Sequence, residues 1–359
     1  MHHRAWTTPP DRCDLTGEVP APDHARGGAA RSRARIFRAA RVRASRRHAV
    51  TGYHDARGAA RVCRARSRSA RMMRLHMSYE PAYAAGGVAL FARLAVAARA
   101  LDAAGLVETH PPAPLDRGVL RGLHADDYLE AFHQGVEPLA SSQGIAWSPV
   151  VRDAAYAMLS GQLAAARHAQ AHGIAMNLAR GFHHAVFERG SGFCALNGLA
   201  LLAHAWPHLR VFVIDCDEHG GNGTEEYAAR LPNLFNASMF GTRFGCIGHA
   251  RSWPFEVRLA RDGADAHLRA LARIEALVVE HAPDLIVYQA GADSHERDPK
   301  GLSGFSDEAL VERDLAVFGM ARRLGIPIVF VVAGGYQSAL DVARVNEATV
   351  RSALQVYAA

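Results

Sequence analysis

The pattern of apolar and polar positions divides the chain near residue 77. Before that point apolar residues show almost no periodic spacing, whereas afterwards helical patterns alternate with short apolar runs. Apolar residues that recur every three to four positions predict helices, and short uninterrupted apolar runs predict buried strands. The predicted helices cover residues 88–104, 126–133, 151–172, 197–205, 264–280, 307–324 and 340–357. The predicted strands cover residues 174–178, 211–214, 285–288 and 326–332.

This alternation predicts an α/β protein. Strands that are apolar throughout are typical of a parallel sheet covered by helices on both faces. Residues 77–359 are enough to bury a large core as one domain. No apolar run reaches the roughly 18 residues that a membrane-spanning helix needs. The longest candidate, residues 82–100, is interrupted by Arg93 and Arg99.

The charge of the chain is unevenly distributed. The whole chain has 41 Lys+Arg, 35 Asp+Glu and a formal charge of +6, and Lys300 is its one lysine. Residues 1–76 hold 18 arginines and 5 acidic residues, a net charge of +13, so residues 77–359 have a net charge of −7. The basic character of the protein therefore belongs to a low-complexity segment, residues 1–76.

Three interpretations of residues 1–76 remain open. Low apolar content predicts a disordered tail, because such a segment cannot offset its ordering entropy. Clustered arginines also suit an arm that binds nucleic acid. Arginine without lysine, with abundant alanine and glycine, is also what GC-rich DNA encodes in almost any frame. The segment would then not be translated, and Met72, Met73 or Met77 would be the start.

The cysteines argue for a reducing compartment. There are five of them, scattered over the chain, at positions 13, 63, 194, 216 and 246. Such spacing does not suit a disulfide scaffold, and the N-terminus lacks the apolar stretch of a secretory signal. We therefore predict a cytoplasmic protein.

Polar residues follow directly after each of the four predicted strands. In open α/β sheets, ligands bind beyond the carboxyl ends of the strands, so these residues are predicted to meet in one site. In chain order they are His183 and His184, then Asp215, Asp217 and His219, then Asp293, and finally Gly334, Gly335 and Tyr336.

The second of these clusters has the spacing of a metal site. Side chains two positions apart in an extended segment point the same way, so Asp215, Asp217 and His219 share one face. Three protein ligands with an open position are typical of catalytic zinc, and Asp217, His219 and the distant Asp293 would supply them. The alternative is that these residues only form turns at strand ends.

The remaining clusters suggest acid–base chemistry. His183 and His184 are candidates for moving protons, although adjacent histidines also occur by chance in a chain with 20 of them. Tyr336 could donate a hydrogen bond to a developing oxyanion, or could be a packed tyrosine at a strand end. Gly334 and Gly335 would allow the backbone to approach a substrate closely.

In this order, the clusters of residues 77–359 resemble the zinc-dependent histone deacetylase family, including bacterial deacetylases and acetoin-utilisation-type proteins. The matching stretches are Leu123-His124-Ala-Asp-Asp-Tyr128-Leu, His183-His184-Ala, Gly192-Phe193-Cys194-Ala-Leu-Asn197, Asp215-x-Asp217-x-His219-x-Gly-Asn222-Gly-Thr, Ala290-Gly-Ala-Asp293 with Asp298-Pro-x-Gly, and Gly334-Gly335-Tyr336. The resemblance implies the arginase/deacetylase fold, one domain with a central, mostly parallel sheet and helices on both faces.

The resemblance also implies a set of site residues. One Zn²⁺ would be bound by Asp217, His219 and Asp293. The implied catalytic residues are His183, His184, Tyr336, Asp215, which would orient His183, and Asn222, which would support His184. The implied substrate channel is lined by Phe193, Gly192, Gly334 and Gly335. A structural K⁺ is implied at the backbone carbonyls of Asp215, Asp217, His219 and Met239 and the hydroxyl of Ser238.

The implied activity is a zinc-dependent amidohydrolase that removes acetyl or other acyl groups from the ε-amine of lysine in proteins or peptides. Deacetylation of acetylpolyamines or another small acylated amine stays open, because a net charge of −7 suits cationic substrates. A two-manganese ureohydrolase and an arginine-rich nucleic-acid-binding protein are further hypotheses. The latter rests on residues 1–76 alone and is disfavoured; no membrane partner is predicted, and an oligomer is compatible with the sequence.

The chain also departs from the family at a few positions. Gly220 stands where many members have His or Gln, which predicts a larger floor of the site. Phe240 stands where a histidine is common, and Gly181-Phe182 replaces the Gly-rich or Pro-Gly pieces that usually precede the two histidines. None of these changes removes a predicted ligand or Tyr336.

Overall fold

The computed structural model describes residues 73–85 and 88–358. The interpretations of residues 1–72 lie outside the described residues. Within the described part, the chain forms eight strands and nine α-helices. The strands are β1 (Leu75–Ser78), β2 (Val107–His110), β3 (Ile174–Asn177), β4 (Val211–Asp215), β5 (Leu234–Phe240), β6 (Ser252–Glu256), β7 (Leu285–Gln289) and β8 (Ile328–Val331). The helices are α1 (Ala89–Ala103), α2 (Asp126–Gln134), α3 (Pro149–His172), α4 (Gly198–Ala205), α5 (Asn222–Arg230), α6 (Leu259–Asp262), α7 (Ala266–His281), α8 (Asp307–Leu324) and α9 (Ala339–Tyr357).

The strands form one sheet in the order β2-β1-β3-β8-β7-β4-β5-β6. Every neighbouring pair is parallel. The strands β3, β4, β5, β7 and β8 are buried along their whole length, as expected for strands covered by helices on both faces. The predicted fold class is therefore confirmed.

The seven helices and four strands predicted from the pattern are all present, with ends within two residues of the prediction. Local signals explain several ends. The Ser148 hydroxyl accepts a hydrogen bond from the Val151 N–H and begins α3, with Pro149 at its first position. Helix α8 ends where Gly325 adopts a left-handed conformation, which closes the helix.

The elements that the pattern did not predict carry polar residues or proline. In β5, Asn236 and Ser238 interrupt the apolar run, and the Asn236 side-chain amide donates to Ser252 Oγ at 3.1 Å. The edge strand β6 contains Pro254, and the edge strand β2 exposes its charged side of the pleat. Strand β1 begins at Leu75, so the last two residues of the predicted low-complexity segment belong to the sheet.

None of the helices in the described residues is both long and apolar enough to cross a membrane.

Candidate active site

The predicted clusters meet at one edge of the sheet. Strands β3, β8, β7 and β4 are neighbours, and all run in the same direction. Their carboxyl ends therefore lie side by side, and the segments that follow them carry the residues singled out in the sequence. The structure brings all four clusters together.

Asp217, His219 and Asp293 form a compact group. One ligand atom from each lies within 4.8 Å of the others, and no other such group is found among the described residues. His219 Nδ1 lies 3.4 Å from Asp217 Oδ1 and 3.5 Å from Asp293 Oδ2. Asp293 is fully buried, and its Oδ2 accepts no hydrogen bond within the described residues. A buried carboxylate oxygen without a donor is unfavourable unless a cation satisfies it.

The protonation of this group shows that it needs positive charge. Burial, followed by the neighbouring Asp217 carboxylate, raises the pKa of Asp293 to about 7. Burial lowers the pKa of His219, but its contacts with Asp217 and Asp293 outweigh this and raise the pKa to about 10. Without a metal, His219 and Asp293 therefore tend to hold protons that a divalent cation would replace. For Asp217, burial is outweighed by the neighbouring histidines, which lower its pKa, so its carboxylate stays ionised. Two carboxylates and one imidazole suit zinc.

Backbone donors orient the two carboxylates. The Gly334 N–H donates to Asp217 Oδ2 at 2.9 Å, and the Glu218 N–H donates to Asp293 Oδ1 at 3.1 Å. A Cβ atom at position 334 would overlap Asp293 Oδ2, so only glycine fits there. Position 334 is therefore glycine because the backbone there passes close to the carboxylates.

His183 and His184 lie beside the three residues, with ring centroids 3.8 Å apart. His183 Nδ1 lies 2.8 Å from Asp215 Oδ2, and His184 Nδ1 lies 2.8 Å from Asn222 Oδ1. If the Asn222 oxygen faces the ring, His184 donates from Nδ1 and leaves Nε2 free to accept a proton. The second oxygen of Asp215 accepts from the Asp217 N–H at 3.2 Å.

The two rings differ in proton affinity. Burial lowers the pKa of His183, but the Asp215 and Asp217 carboxylates outweigh this and raise it above its ordinary value. Burial and the neighbouring His183 hold the pKa of His184 well below its ordinary value. Near neutral pH, His184 is therefore a neutral ring that can accept a proton, beside a ring that tends to keep one.

Tyr336 closes the other side of the site. Its ring centroid lies 6.4 Å from that of His219 and 6.2 Å from that of Phe193. Burial, followed by the Asp293 and Asp217 carboxylates, raises the pKa of Tyr336, so the phenol keeps its proton and is a hydrogen-bond donor. The Tyr336 N–H donates to Asp298 Oδ2 at 2.7 Å, which anchors the turn.

Two phenylalanines lie beside the site, Phe193 near Tyr336 and Phe244 against His184. Phe193 follows Gly192, where a Cβ atom would overlap the His184 ring. Phe244, which the sequence did not single out, packs against His184 with ring centroids 4.0 Å apart and is 41% exposed. It lies in an irregular segment after β5, where no periodic pattern marks a residue as part of a site.

Three basic residues near Tyr336 were also missed. Arg93 on α1 is buried and donates to the Ala333 carbonyl at 2.6 Å. Arg180, just after β3, is buried with its guanidinium 4.7 Å from the Phe91 ring centroid. Lys300 is exposed, and its ammonium lies 5.2 Å from the Tyr336 ring centroid. Helical periodicity marked Arg93 only as a position on α1.

Other expectations have different outcomes. The space beside Gly220 is filled by the Arg243 backbone and the Cys246 side chain, so the expectation of an enlarged floor is wrong. Asp298 accepts from the Tyr336 and Lys300 N–H groups instead of joining the three metal-ligand candidates, which weakens the two-manganese hypothesis. The potassium site stays a prediction, although β5 places Ser238 opposite Asp215.

A family model described as the histone deacetylase domain matches residues 90–353. An uncharacterized protein of Picosynechococcus sp. is 32% identical over 237 residues, which cover 64% of this chain and 79% of that protein. Histone deacetylase 2 of Arabidopsis thaliana is 34% identical over 194 residues, 50% of this chain and 48% of the relative. This chain thus spans about half the length of that plant protein.

Among solved structures, the acetylpolyamine aminohydrolase from Burkholderia pseudomallei has a TM-score of 0.65 and 19% sequence identity. The match covers 78% of this chain and 98% of that one. At this identity, the likeness shows a common fold.

Proposed function

This chain belongs to the histone deacetylase family, and on that premise we propose that it is a zinc-dependent amidohydrolase that removes acetyl or other acyl groups from the ε-amine of lysine. The observation that carries the proposal is the arrangement of the site. An Asp-His-Asp group, with both carboxylates buried, lies beside a histidine whose pKa is lowered and a tyrosine whose pKa is raised. These are the groups that hydrolysis of an amide by activated water requires.

In this proposal, Asp217, His219 and Asp293 hold the zinc ion. When bound, zinc would polarise the amide carbonyl and lower the pKa of a water molecule. The backbone N–H groups of Gly334 and Glu218 fix the orientation of the two carboxylates that would hold the ion. The structural potassium ion at Ser238 and the neighbouring carbonyls is part of the same proposal.

His184 moves the proton. Its low pKa makes it neutral, and its hydrogen bond to Asn222 leaves Nε2 able to take a proton from the attacking water. The same nitrogen can then return the proton to the leaving amine. His183, oriented by Asp215, keeps its own proton and provides positive charge beside the reacting carbonyl.

Tyr336 stabilises the charge that develops on the carbonyl oxygen. Its hydroxyl is a donor across the pH range in which lysine amides are hydrolysed, because its pKa is raised. A positioned donor of this kind is worth about 10²–10³-fold in rate. Phe193 and Phe244 would flank the apolar stem of an acyl-lysine and limit the access of water.

The test is a comparison of metal-stripped and zinc-reconstituted protein on acetyl-lysine peptides. We expect stripped protein to be inactive and activity to return as about one zinc per chain is added. The variant His184→Ala should bind zinc yet lose about 10²–10⁴-fold in kcat/KM. Deacylation that survives both chelation and His184→Ala would contradict the proposal.

A second candidate function uses the same site on a different substrate. The acetylpolyamine aminohydrolase shares the fold, so acetylpolyamines are an alternative class of acylated amine. Rates on N-acetylspermidine and on an acetyl-lysine peptide, measured side by side, would distinguish the two.

A further inference from the structure

Lys300, the one lysine of the chain, lies at the entrance to the candidate site. Its ammonium is 5.2 Å from the ring centroid of Tyr336 and 5.9 Å from that of Phe193. These rings flank the space through which the stem of an acylated amine would reach the metal-ligand residues. Any group attached to the outer end of that stem must pass close to the ammonium.

The position of Lys300 is set by Asp298. One carboxylate oxygen of Asp298 accepts from the Lys300 N–H at 3.0 Å, and the other accepts from the Tyr336 N–H at 2.7 Å. The loop that carries Lys300 is thus tied to the turn that carries Tyr336. The aromatic faces attract the ammonium and hold it near the entrance.

The ammonium is available to a ligand. Lys300 is exposed, and its ammonium makes no ion pair with any carboxylate of the described residues. Several exposed arginines, by contrast, are already paired, as Arg344 is with Asp307 at 2.7 Å.

The charge around the site has the opposite sign to that of the domain. Residues 77–359 carry a net charge of −7. Beside Tyr336, however, three basic side chains come together, Lys300 at the entrance and Arg93 and Arg180 deeper inside. Arg93 Nη1 and Arg180 Nε and Nη1 have no hydrogen-bond partner within the described residues. A divalent ion would balance Asp217 and Asp293, and Asp298 offsets one of the three cations, which leaves the local charge positive.

We propose that Lys300 is a specificity-determining residue that favours acylated amines with an anionic group beside the reacting amide and disfavours polycations. This inference rests on the proposed function, because it concerns which acylated amine the site accepts. A flanking carboxylate would pair with the free ammonium, whereas the further ammonium groups of an acetylpolyamine would be repelled by it. The net negative charge of the domain attracts cations only at long range, and the contact charge at the entrance decides which substrate binds.

The test uses the full chain, reconstituted with zinc, and three acetyl-lysine peptides that differ only in their flanking residues, which are Glu, Gln or Arg. N-acetylspermidine is the fourth substrate. The variants are Lys300→Gln, Lys300→Glu and the charge-preserving Lys300→Arg. The control Arg167→Glu makes the same change in net charge as Lys300→Glu, at an exposed position on the last third of α3. That part of α3 leads into the start of β3, at the amino ends of the strands, whereas the site lies at their carboxyl ends.

For the wild type, we expect kcat/KM to fall in the order Glu, Gln, Arg, with roughly a 3–10-fold range, the size typical of exposed charge pairs. The difference should lie in KM, because Lys300 does not touch the reacting atoms, and it should shrink as salt rises from about 0.05 M to about 0.5 M. Lys300→Gln should give nearly equal kcat/KM on the three peptides. Lys300→Glu should reverse the order, so that the Arg peptide becomes the best of the three, and should raise the relative rate on N-acetylspermidine. Lys300→Arg and Arg167→Glu should keep the wild-type order.

Equal rates on the three peptides, an opposite order in the wild type, or the wild-type order retained by Lys300→Glu would each overturn this inference and leave the deacylase proposal intact. If the zinc-reconstituted wild type hydrolyses none of the four substrates, the proposed function itself fails, and the inference fails with it.

Discussion

Two groups of histidines in this protein bring imidazole rings equally close, yet differ in what surrounds them. His183 and His184 are adjacent in sequence, with ring centroids 3.8 Å apart. The other group, the histidine quartet, has the same spacing, with ring centroids 3.8–4.2 Å apart. The quartet consists of His76 on β1, His110 on β2, and His168 and His172 on α3.

The difference lies in the hydrogen-bond partners. In the pair, each ring has its own polar partner, a carboxylate for His183 and an amide for His184. In the quartet, the rings stack on one another, and no ring nitrogen makes a hydrogen bond to a described group, although His110 lies 3.8 Å from Glu108.

The partners determine the proton affinities. The pair is split, since the pKa of His183 is raised and that of His184 is lowered. In the quartet, burial and the neighbouring imidazoles lower the pKa of His76 to about 4, and burial and the neighbouring rings also lower that of His168. Acid–base chemistry needs groups whose environments push their pKa values apart. Ring proximity alone therefore does not make a catalytic site.

The largest expected difference between the groups is in activity. We expect His184→Ala to lower kcat/KM on an acetyl-lysine peptide by about 10²–10⁴-fold, because it removes the proton acceptor. His168→Ala, the matched change in the quartet, should alter kcat/KM by less than about twofold, because it removes no group that meets the substrate. Steady-state kinetics, with zinc content and Tm measured for both variants, would check this. A comparable loss of kcat/KM in both variants would contradict the distinction between the pair and the quartet.

A smaller effect should follow when only the partner is removed. Asn222→Ala leaves the His184 ring in place but removes the oxygen that holds its tautomer. Loss of a hydrogen-bond partner of this kind typically lowers activity about 10–100-fold. The pH profile of kcat/KM should also change shape, since the neutral tautomer is no longer selected. An unchanged profile with normal activity would show that the ring orients itself without Asn222.

The sequence predicts the pair but not the quartet for a physical reason. His183, His184 and the metal-ligand candidates follow apolar strands that a simple pattern identifies, and parallel strand ends must lie at one edge of the sheet. The quartet depends on β1 and β2, which are too short and too polar at the edge to give a pattern. Its members meet only because α3 packs across these strands.

The same contrast applies inside the site. Asp217 and His219 could be predicted as neighbours because they are two positions apart in one segment, and Asp293 because its strand β7 pairs with β4. Phe244 could not be predicted, because it lies in an irregular loop. Arg180 begins the polar stretch that follows the first predicted strand, but nothing in the sequence assigns it a role in the site. Their contacts with His184 and Phe91 arise from tertiary packing.

The smallest expected effect concerns stability in acid. The folded-state pKa of His76, about 4, is below the ordinary value of 6.5 for an exposed ring. A depressed pKa contributes stability that is present above pH 6.5 and is lost as the pH falls toward 4. After discounting for the partial exposure of His76, the loss is about 1 kcal/mol. His168→Gln removes the ring that stacks on His76 at 3.8 Å and should reduce this loss.

Urea unfolding of the wild type and of His168→Gln at several pH values between about 4 and 7 would measure the difference in acid stability. His183 and His184 are unchanged in both proteins, so their titration cancels in the comparison. An equal dependence on pH in the two proteins would mean that the stacked rings do not depress one another, and that burial alone accounts for the low pKa of His76.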